Sequence, residues 1–368
     1  MEPTSNLGGA VATRNLLGMS RDELEKLAVA QGQPRYRGSQ IYRGIYSRRK
    51  QDLTNLTDLD LSFRRLLASN FQVGYPRVDA DFKSRDGAVR YLLGLEDRQR
   101  VEAVYMPEEH RRTLCISSQA GCAVDCRFCF TGLVGLRRNL TAGEIVGQVL
   151  AIATAQHIAP KSRLNVVFMG MGEPLLNLRH VTKAVNIMAD TNGLGIALRR
   201  ITVSTSGIIP GIYELARQQV RPKLAISLNA TTEEQRAALM PLNRKYPLKD
   251  LLAACRAYPL RPRERLTFEY VMLDGINDSL ADAARVADLL SRIPARVNLI
   301  PYNGGEALRY RPSPLARVLE FQQVLAKRNV PAFIRISRGR DIMAACGQLS
   351  LVNLQTISPQ ITQISQTR

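Results

Sequence analysis

The sequence predicts an α/β protein whose strands form a parallel sheet, preceded by a small N-terminal helical segment. Three observations carry this. From about residue 110 onward six short apolar or β-branched runs recur, stretches of helical periodicity separate them, and the unusual motifs of the chain fall just after these runs. In open or barrel-like parallel sheets the chemistry gathers at the carboxyl ends of the strands. With 368 residues, 45% of them hydrophobic and 23% charged, the chain can bury a large core and suits one large domain plus a smaller appendage.

The first helix is expected after Ser20, a good N-cap before Arg21 to Leu27, with Glu23 at the capping-box position. A second is expected over 38–46. Around them Arg35, Arg37, Arg43, Arg48, Arg49 and Lys50 are interleaved with Tyr36, Tyr42 and Tyr46. Basic and aromatic side chains together suit phosphate contact and base stacking. The same residues also suit a small helical core with a solvated basic rim. Residues 15–75 are read as a helical RNA-binding accessory domain, and 76–109 as a linker and β extension carrying Glu102. The core then spans 110–350. Its six candidate strands are 113–117, 164–169, 200–204, 223–228, 266–272 and 295–300. The helices expected are 141–157, 179–190, 209–217, 232–239, 278–292 and 314–328. Residues 351–368, rich in Gln, Ser and Thr, read as a polar C-terminal tail.

Charge narrows the partners. Lys and Arg outnumber Asp and Glu by 51 to 32, a formal charge of +19 that draws a polyanion such as RNA or serves solubility alone. Met1 to Thr4 show neither a basic start nor an apolar run, and no segment approaches the roughly 18 apolar residues of a membrane helix. A cytoplasmic location is expected.

Of six cysteines, at 115, 122, 126, 129, 255 and 346, four lie within fifteen residues. Clustered thiols without a secretory signal are metal ligands or catalytic groups more often than structural bridges. Cys122, Cys126 and Cys129 have C-x3-C-x2-C spacing, which can hold three corners of a cubane cluster and leave the fourth iron open to an amino and carboxylate group. Zinc is the competing ligand. It needs a fourth donor from afar, such as His110 or Cys346.

This triad is the hallmark of the radical S-adenosylmethionine (SAM) superfamily. Around it, TLCISSQAGC at 113–122, GMGEPLLN at 170–177, FEYVMLDG at 268–275 and AACGQL at 344–349 resemble the RlmN/Cfr family of radical SAM RNA adenine methyltransferases, over about residues 15 to 350. The resemblance implies a partial (β/α)6 TIM-like barrel of the radical SAM type behind the small N-terminal helical domain. It also implies one 4Fe-4S cluster on Cys122, Cys126 and Cys129, two SAM molecules per turnover, an electron donor such as flavodoxin or ferredoxin, and 23S ribosomal RNA, with transfer RNA as a second substrate. A monomer is expected. Pro174 after Gly172-Glu173, and Glu269-Tyr270, resemble the branch that methylates adenine carbon 2.

By residue-to-residue match, Gly172 and Glu173 take the SAM amino group, where glycine lets the backbone approach and a carboxylate pairs with an ammonium. Ser204, Ser227, Leu228, Asn229 and Asn303 line the rest of the SAM pocket. Adenine carbon 2 is not nucleophilic enough to displace SAM directly, so a carbon radical and a tethered one-carbon unit are needed. The resemblance makes Cys346 the methyl-carrying residue, Cys115 its partner in a transient disulfide, and Glu102 the proton acceptor. Taken alone, Glu102 reads as a surface carboxylate and Cys115 as a buried strand cysteine. Cys255 matches no family position and reads as core.

The chain departs from the family pattern at Asn229 (commonly His), Phe130 (commonly small) and Met343 (commonly Asp). Two other functions remain open on sequence. One is methylation of carbon 8 of adenine in 23S ribosomal RNA; the other is a non-catalytic iron-sulfur RNA-binding protein.

Overall fold

The computed structural model describes residues 13–304 and 308–349; the expected tail at 351–368 lies outside them. The N-terminal elements are β1 (Arg14–Asn15), α1 (Arg21–Ala30), α2 (Tyr36–Tyr46), α3 (Leu61–Asn70) and β2 (Phe71–Gln72). β1 and β2 pair in parallel and bring the two ends of this helical segment together. α1 starts on the expected capping box, with Ser20 and Glu23 each satisfying the other's backbone N–H. Tyr42 and Tyr46 are buried with ring centroids 4.8 Å apart, whereas Tyr36 is exposed beneath the Arg37 guanidinium. Arg35 pairs with Asp22 and Glu25, Arg48 pairs with Asp58, and Arg49 donates to the Ile158 carbonyl. Two of the three tyrosines are therefore core, and these arginines are held by protein partners.

The remaining chain forms β3 (Arg77–Lys83), β4 (Val89–Gly94), β5 (Arg100–Glu108), β6 (Arg111–Cys115), β7 (Gln119–Ala120), α4 (Phe130–Val134), β8 (Arg138–Asn139) and α5 (Ala142–Ala155). These are followed by β9 (Leu164–Phe168), α6 (Leu178–Ala189), β10 (Ile201–Thr205), α7 (Ile209–Ala216), β11 (Lys223–Ser227), α8 (Glu233–Leu239), α9 (Leu248–Ala257) and β12 (Leu266–Met272). Last come α10 (Leu280–Leu290), β13 (Ala295–Pro301), α11 (Leu315–Lys327) and β14 (Ala332–Ile334).

Ten strands make one sheet, in the order β14-β13-β12-β11-β10-β9-β6-β5-β4-β3. From β6 to β14 neighbours run parallel, and the six expected strands stand in their expected sequence. The sheet exceeds that expectation at both ends. β14 adds a seventh parallel strand, and β5, β4 and β3 continue the sheet antiparallel. One face of the parallel strands is buried in the main core, while alternate residues on the other, such as Asn165, Thr202 and Ser204, are only half-buried, so the strands read as short apolar-rich runs. β3 is mostly exposed and polar, so it carries no such run. β3 and β14 are the two edges and do not pair, leaving the barrel open. The chain beyond β14 crosses to the β3–β4 turn, where Gly339 N–H donates to Asp86 and Asp341 accepts from Ser84. Among the described residues no helix is long and apolar enough to cross a membrane.

Candidate active site

The loop after β7 carries Cys122, Cys126 and Cys129, and its entry requires glycine: Gly121 has φ +78°, and a Cβ there would meet the Gly135 carbonyl oxygen at 1.7 Å. The loop is fixed by the Arg127 N–H to the Leu239 carbonyl (2.9 Å). Behind it Phe128, Leu239, Met240, Leu273, Tyr302 and Tyr310 form a separate apolar cluster that packs on Cys126 and Cys129. Burial pushes the Cys122 thiol up to about 12 and raises Cys126 well above its ordinary value, and repulsion from Cys129 adds to both. Among the described residues no three His, Cys, Asp or Glu side chains converge as ligands of a single ion. The three thiols sit on one short loop and line one cavity, a donor set that suits three corners of a polynuclear cluster. His110, the distant zinc donor considered from sequence, is 86% exposed and beside Glu109.

The carboxyl ends of the parallel strands enclose a cavity of about 710 Å³, lined by the three cysteines together with Cys115, Cys346, Gly172, Glu173, Ser204, Ser227, Asn229 and Asn303. Gly172 has φ +96°, and a Cβ there would overlap Gln119 at 2.4 Å, so only glycine lets this turn pass. The following Glu173 is 2% exposed. Its carboxylate accepts from Leu175 N–H (3.0 Å) and Ser206 N–H (2.7 Å). Burial nevertheless raises its pKa, and no cation pairs with it among the described residues. A buried carboxylate in this state favours an incoming ammonium group. Asn303 offers the complementary need, because its Nδ2 is buried without an acceptor. Both features fit SAM. The Leu228 side chain, by contrast, packs in the main core rather than on the cavity wall.

Cys346 and Cys115 are both free thiols that line this cavity, so the expected disulfide is not a resident bond. Burial raises both pKa values, and the Arg335 cation counteracts it. The Cys346 loop is tied to the end of the three-cysteine loop by the Phe130 N–H to the Gly347 carbonyl (2.8 Å) and by Thr131 Oγ1 to the Leu349 carbonyl (2.6 Å). Glu102 is not on the cavity wall. It is 1% exposed and paired at 2.9 Å with the equally buried Arg90, whose guanidinium lies 4.5 Å from the Phe82 ring centroid. Strand register places Glu102 and Arg90 on the same sheet face as the cavity-lining Met106, Thr113 and Cys115. The Glu102 carbonyl accepts from Ser117 Oγ (2.6 Å), which in turn accepts from Met171 N–H (2.8 Å). One hydroxyl thereby couples β5 to the Gly170–Glu173 loop.

Two of the three departures have local explanations. Asn229 adopts φ +56°, a left-handed conformation that Asn and His both tolerate, and its Oδ1 accepts from Val271 N–H. Phe130 is buried at the start of α4, beside the Cys346 loop. Met343 also has φ +54°, where Asp would be less strained. Sequence reasoning used Glu269 only as a branch marker, yet it is a buried acid on the cavity wall, held by Asn298 Nδ2 at 2.9 Å. An acid inside an apolar strand was the available signal. Arg335 and Ser206 also line the cavity and were missed. Cys255 is buried in α9, as expected. A second cleft of about 900 Å³ lies elsewhere, with no cysteine on its walls. Its Arg77 and Arg100 are paired with Asp79, and its Lys183 with Glu23.

The chain matches the radical SAM superfamily over residues 116–287 and the ribosomal RNA large subunit methyltransferase N-terminal domain over 14–73. It is 47% identical over 344 residues to a probable dual-specificity RNA methyltransferase RlmN of Koribacter versatilis, covering 89% of this chain and 99% of that one. It is also 47% identical to the dual-specificity RNA methyltransferase RlmN of Geobacter sulfurreducens, over 91% of each. A crystal structure of a radical SAM methyltransferase from Sphaerobacter thermophilus superposes with a TM-score of 0.86 at 43% identity, covering 91% of this chain and 99% of that one.

Proposed function

The chain belongs to the RlmN family of radical SAM methyltransferases, enzymes that methylate RNA, and on that footing we propose that it methylates adenine carbon 2 in 23S ribosomal RNA and in transfer RNA, through a methyl group carried on Cys346. The observation that supports this most is that Cys346 and Cys115 line one cavity with the three-cysteine loop and Glu173. Bound together, a 4Fe-4S cluster and SAM supply the carbon radical that this unreactive ring position needs.

Cys122, Cys126 and Cys129 would hold the cluster. Glu173 binds the SAM ammonium, Asn303 Nδ2 donates to a SAM oxygen, and Ser204, Ser227 and Asn229 shape the surrounding wall. Cys346 takes its methyl group from one of two SAM molecules per turnover: its thiolate forms the new sulfur-carbon bond as the sulfonium bond breaks. After the Cys346-borne carbon joins the ring, Glu102 accepts the ring proton, the Cys115 thiolate bonds to the Cys346 sulfur as the carbon-sulfur bond breaks and one electron is lost, the freed carbon takes a proton from solvent, and a two-electron reductant returns the transient disulfide to two thiols. An external electron donor such as flavodoxin or ferredoxin completes the cycle, and we place the enzyme in the cytoplasm.

The test is nucleoside mass spectrometry of 23S ribosomal and transfer RNA treated with the reduced, cluster-loaded protein. It should yield 2-methyladenosine, lost in Cys346→Ala. Appearance of 8-methyladenosine would assign the carbon 8 reaction, and no methyladenosine would leave an iron-sulfur RNA-binding protein.

A further inference from the structure

The segment that leaves β14 and bridges the open edges of the sheet is held at both ends. Arg335 N–H donates to the Leu299 carbonyl (2.8 Å). On the far side, the Arg338 guanidinium donates to the Asp86 and Pro107 carbonyls, and Asp341 accepts from Ser84 Oγ (2.6 Å) and Arg85 N–H (3.1 Å). Between these anchors the strap borders the active cavity, with Arg335, Ile336, Ser337 and Arg338 on its wall. Ile336 is 87% exposed, more than any other large hydrophobic side chain among the described residues. Its neighbour Arg335 is exposed, and among the described residues its guanidinium makes no hydrogen bond or ion pair.

A single exposed aliphatic side chain is ordinary on a protein surface. This one differs in position, because it stands on an anchored strap at the rim of the cavity that holds Cys346, beside the Arg335 cation, which makes no hydrogen bond or ion pair among the described residues and whose charge acts on the Cys346 thiol. A base can reach Cys346 only by leaving its stack, and extruding it from a folded RNA costs free energy. Proteins that distort nucleic acids offset such costs by inserting Ile, Leu, Met or Phe into the disrupted step, with Arg on the adjoining phosphates.

We propose that Ile336 is a wedge that occupies the stack vacated by the target adenine of a folded RNA, with Arg335 holding a phosphate beside it. The inference rests on the reading that RNA is the substrate. It adds that the strap selects for folded RNA by making extrusion less costly, and it predicts that Ile336 matters least where the adenine is already unstacked.

The test compares cluster-loaded wild type, Ile336→Ala and Ile336→Met on two probes: protein-free 23S ribosomal RNA folded with magnesium, and the same RNA cut into short unstructured fragments. The readout is the ratio of kcat/KM on folded to fragmented RNA, in which any loss of correctly folded protein cancels. The ratio should fall about tenfold or more in Ile336→Ala and be restored in Ile336→Met, which can still enter a stack. For Arg335→Ala, the slope of log binding constant against log salt should shrink by about one. An unchanged ratio in Ile336→Ala, or an equal fall for Ile336→Met, overturns the wedge. A wild-type protein that methylates neither RNA overturns the substrate reading and the wedge with it.

Discussion

Arg90 and Glu102 form an ion pair with both side chains 1% exposed and 2.9 Å between charged atoms. The Arg90 Nε and Nη2 are buried without acceptors, so the pair carries a desolvation cost that its attraction must offset. Replacing Arg90 with Met removes the cation and leaves the Glu102 carboxylate in a low-dielectric site. Breaking a buried pair from one side costs about 3–5 kcal/mol. With a urea m-value of about 3 kcal/mol/M, that lowers the unfolding midpoint by roughly 1 M or more. The double variant Arg90→Met/Glu102→Leu removes both charges at similar volume and should recover most of the loss. The half-exposed pair Arg48–Asp58, with side chains 40% and 30% exposed, is the internal control; Arg48→Met should cost under about 1 kcal/mol. Equal effects of Arg90→Met and Arg48→Met, or a double variant no more stable than Arg90→Met, would refute the reasoning.

Asn277 bonds the Asn229 and Val271 carbonyls through Nδ2 and the Leu273 N–H through Oδ1, all within 2.8 Å. Asn277→Ala should destabilise by about 3 kcal/mol or more, and a loss under 1 kcal/mol in urea unfolding would contradict this network. Met343 stands at φ +54°, a conformation costing about 1 kcal/mol for most residues but less for Asn. Met343→Asn should therefore raise stability by about 0.5–1 kcal/mol, and an unchanged or lower unfolding midpoint would count against it. Burial opposes ionisation of Asp86 and Asp341, but hydrogen bonds from Ala88 and Gly339 to the first, and from Ser84 and Arg85 to the second, hold both below the ordinary carboxylate range. Because their folded pKa values are depressed, their contribution is complete above the unfolded value of about 3.9 and is lost as pH falls through the folded values. Hydrogen exchange in the 335–342 strap, corrected for intrinsic rates, should be flat from neutral pH to about 5 and rise below about 4. Loosening with rising pH would be the opposite sign.

The parallel half of the fold was legible because one face of each strand is buried in the main core, so Val203, Ile226 and Phe268 had to be apolar and sit in short runs. The three-cysteine loop was legible because its thiols are local in sequence. β3 was not, because it is an exposed edge and Arg77, Asp81 and Lys83 suit its solvent-facing positions. Arg90 reads as a surface residue from sequence; only its partner twelve residues away, brought opposite by a hairpin, makes it core. The same limit applies to Glu269, whose Asn298 partner lies on the next strand, and to the strap, whose anchor at Asp86 is about 250 residues distant.

Isotope retention shows whether the methyl group passes through Cys346 on its way to the ring. With SAM bearing a trideuterated methyl group, a route through Cys346 abstracts one deuterium from the tethered methyl and later fills that position with a solvent proton, so the methyladenosine carries two deuteriums. Direct transfer from SAM to the ring would deliver all three, and a trideuterated product would contradict the account.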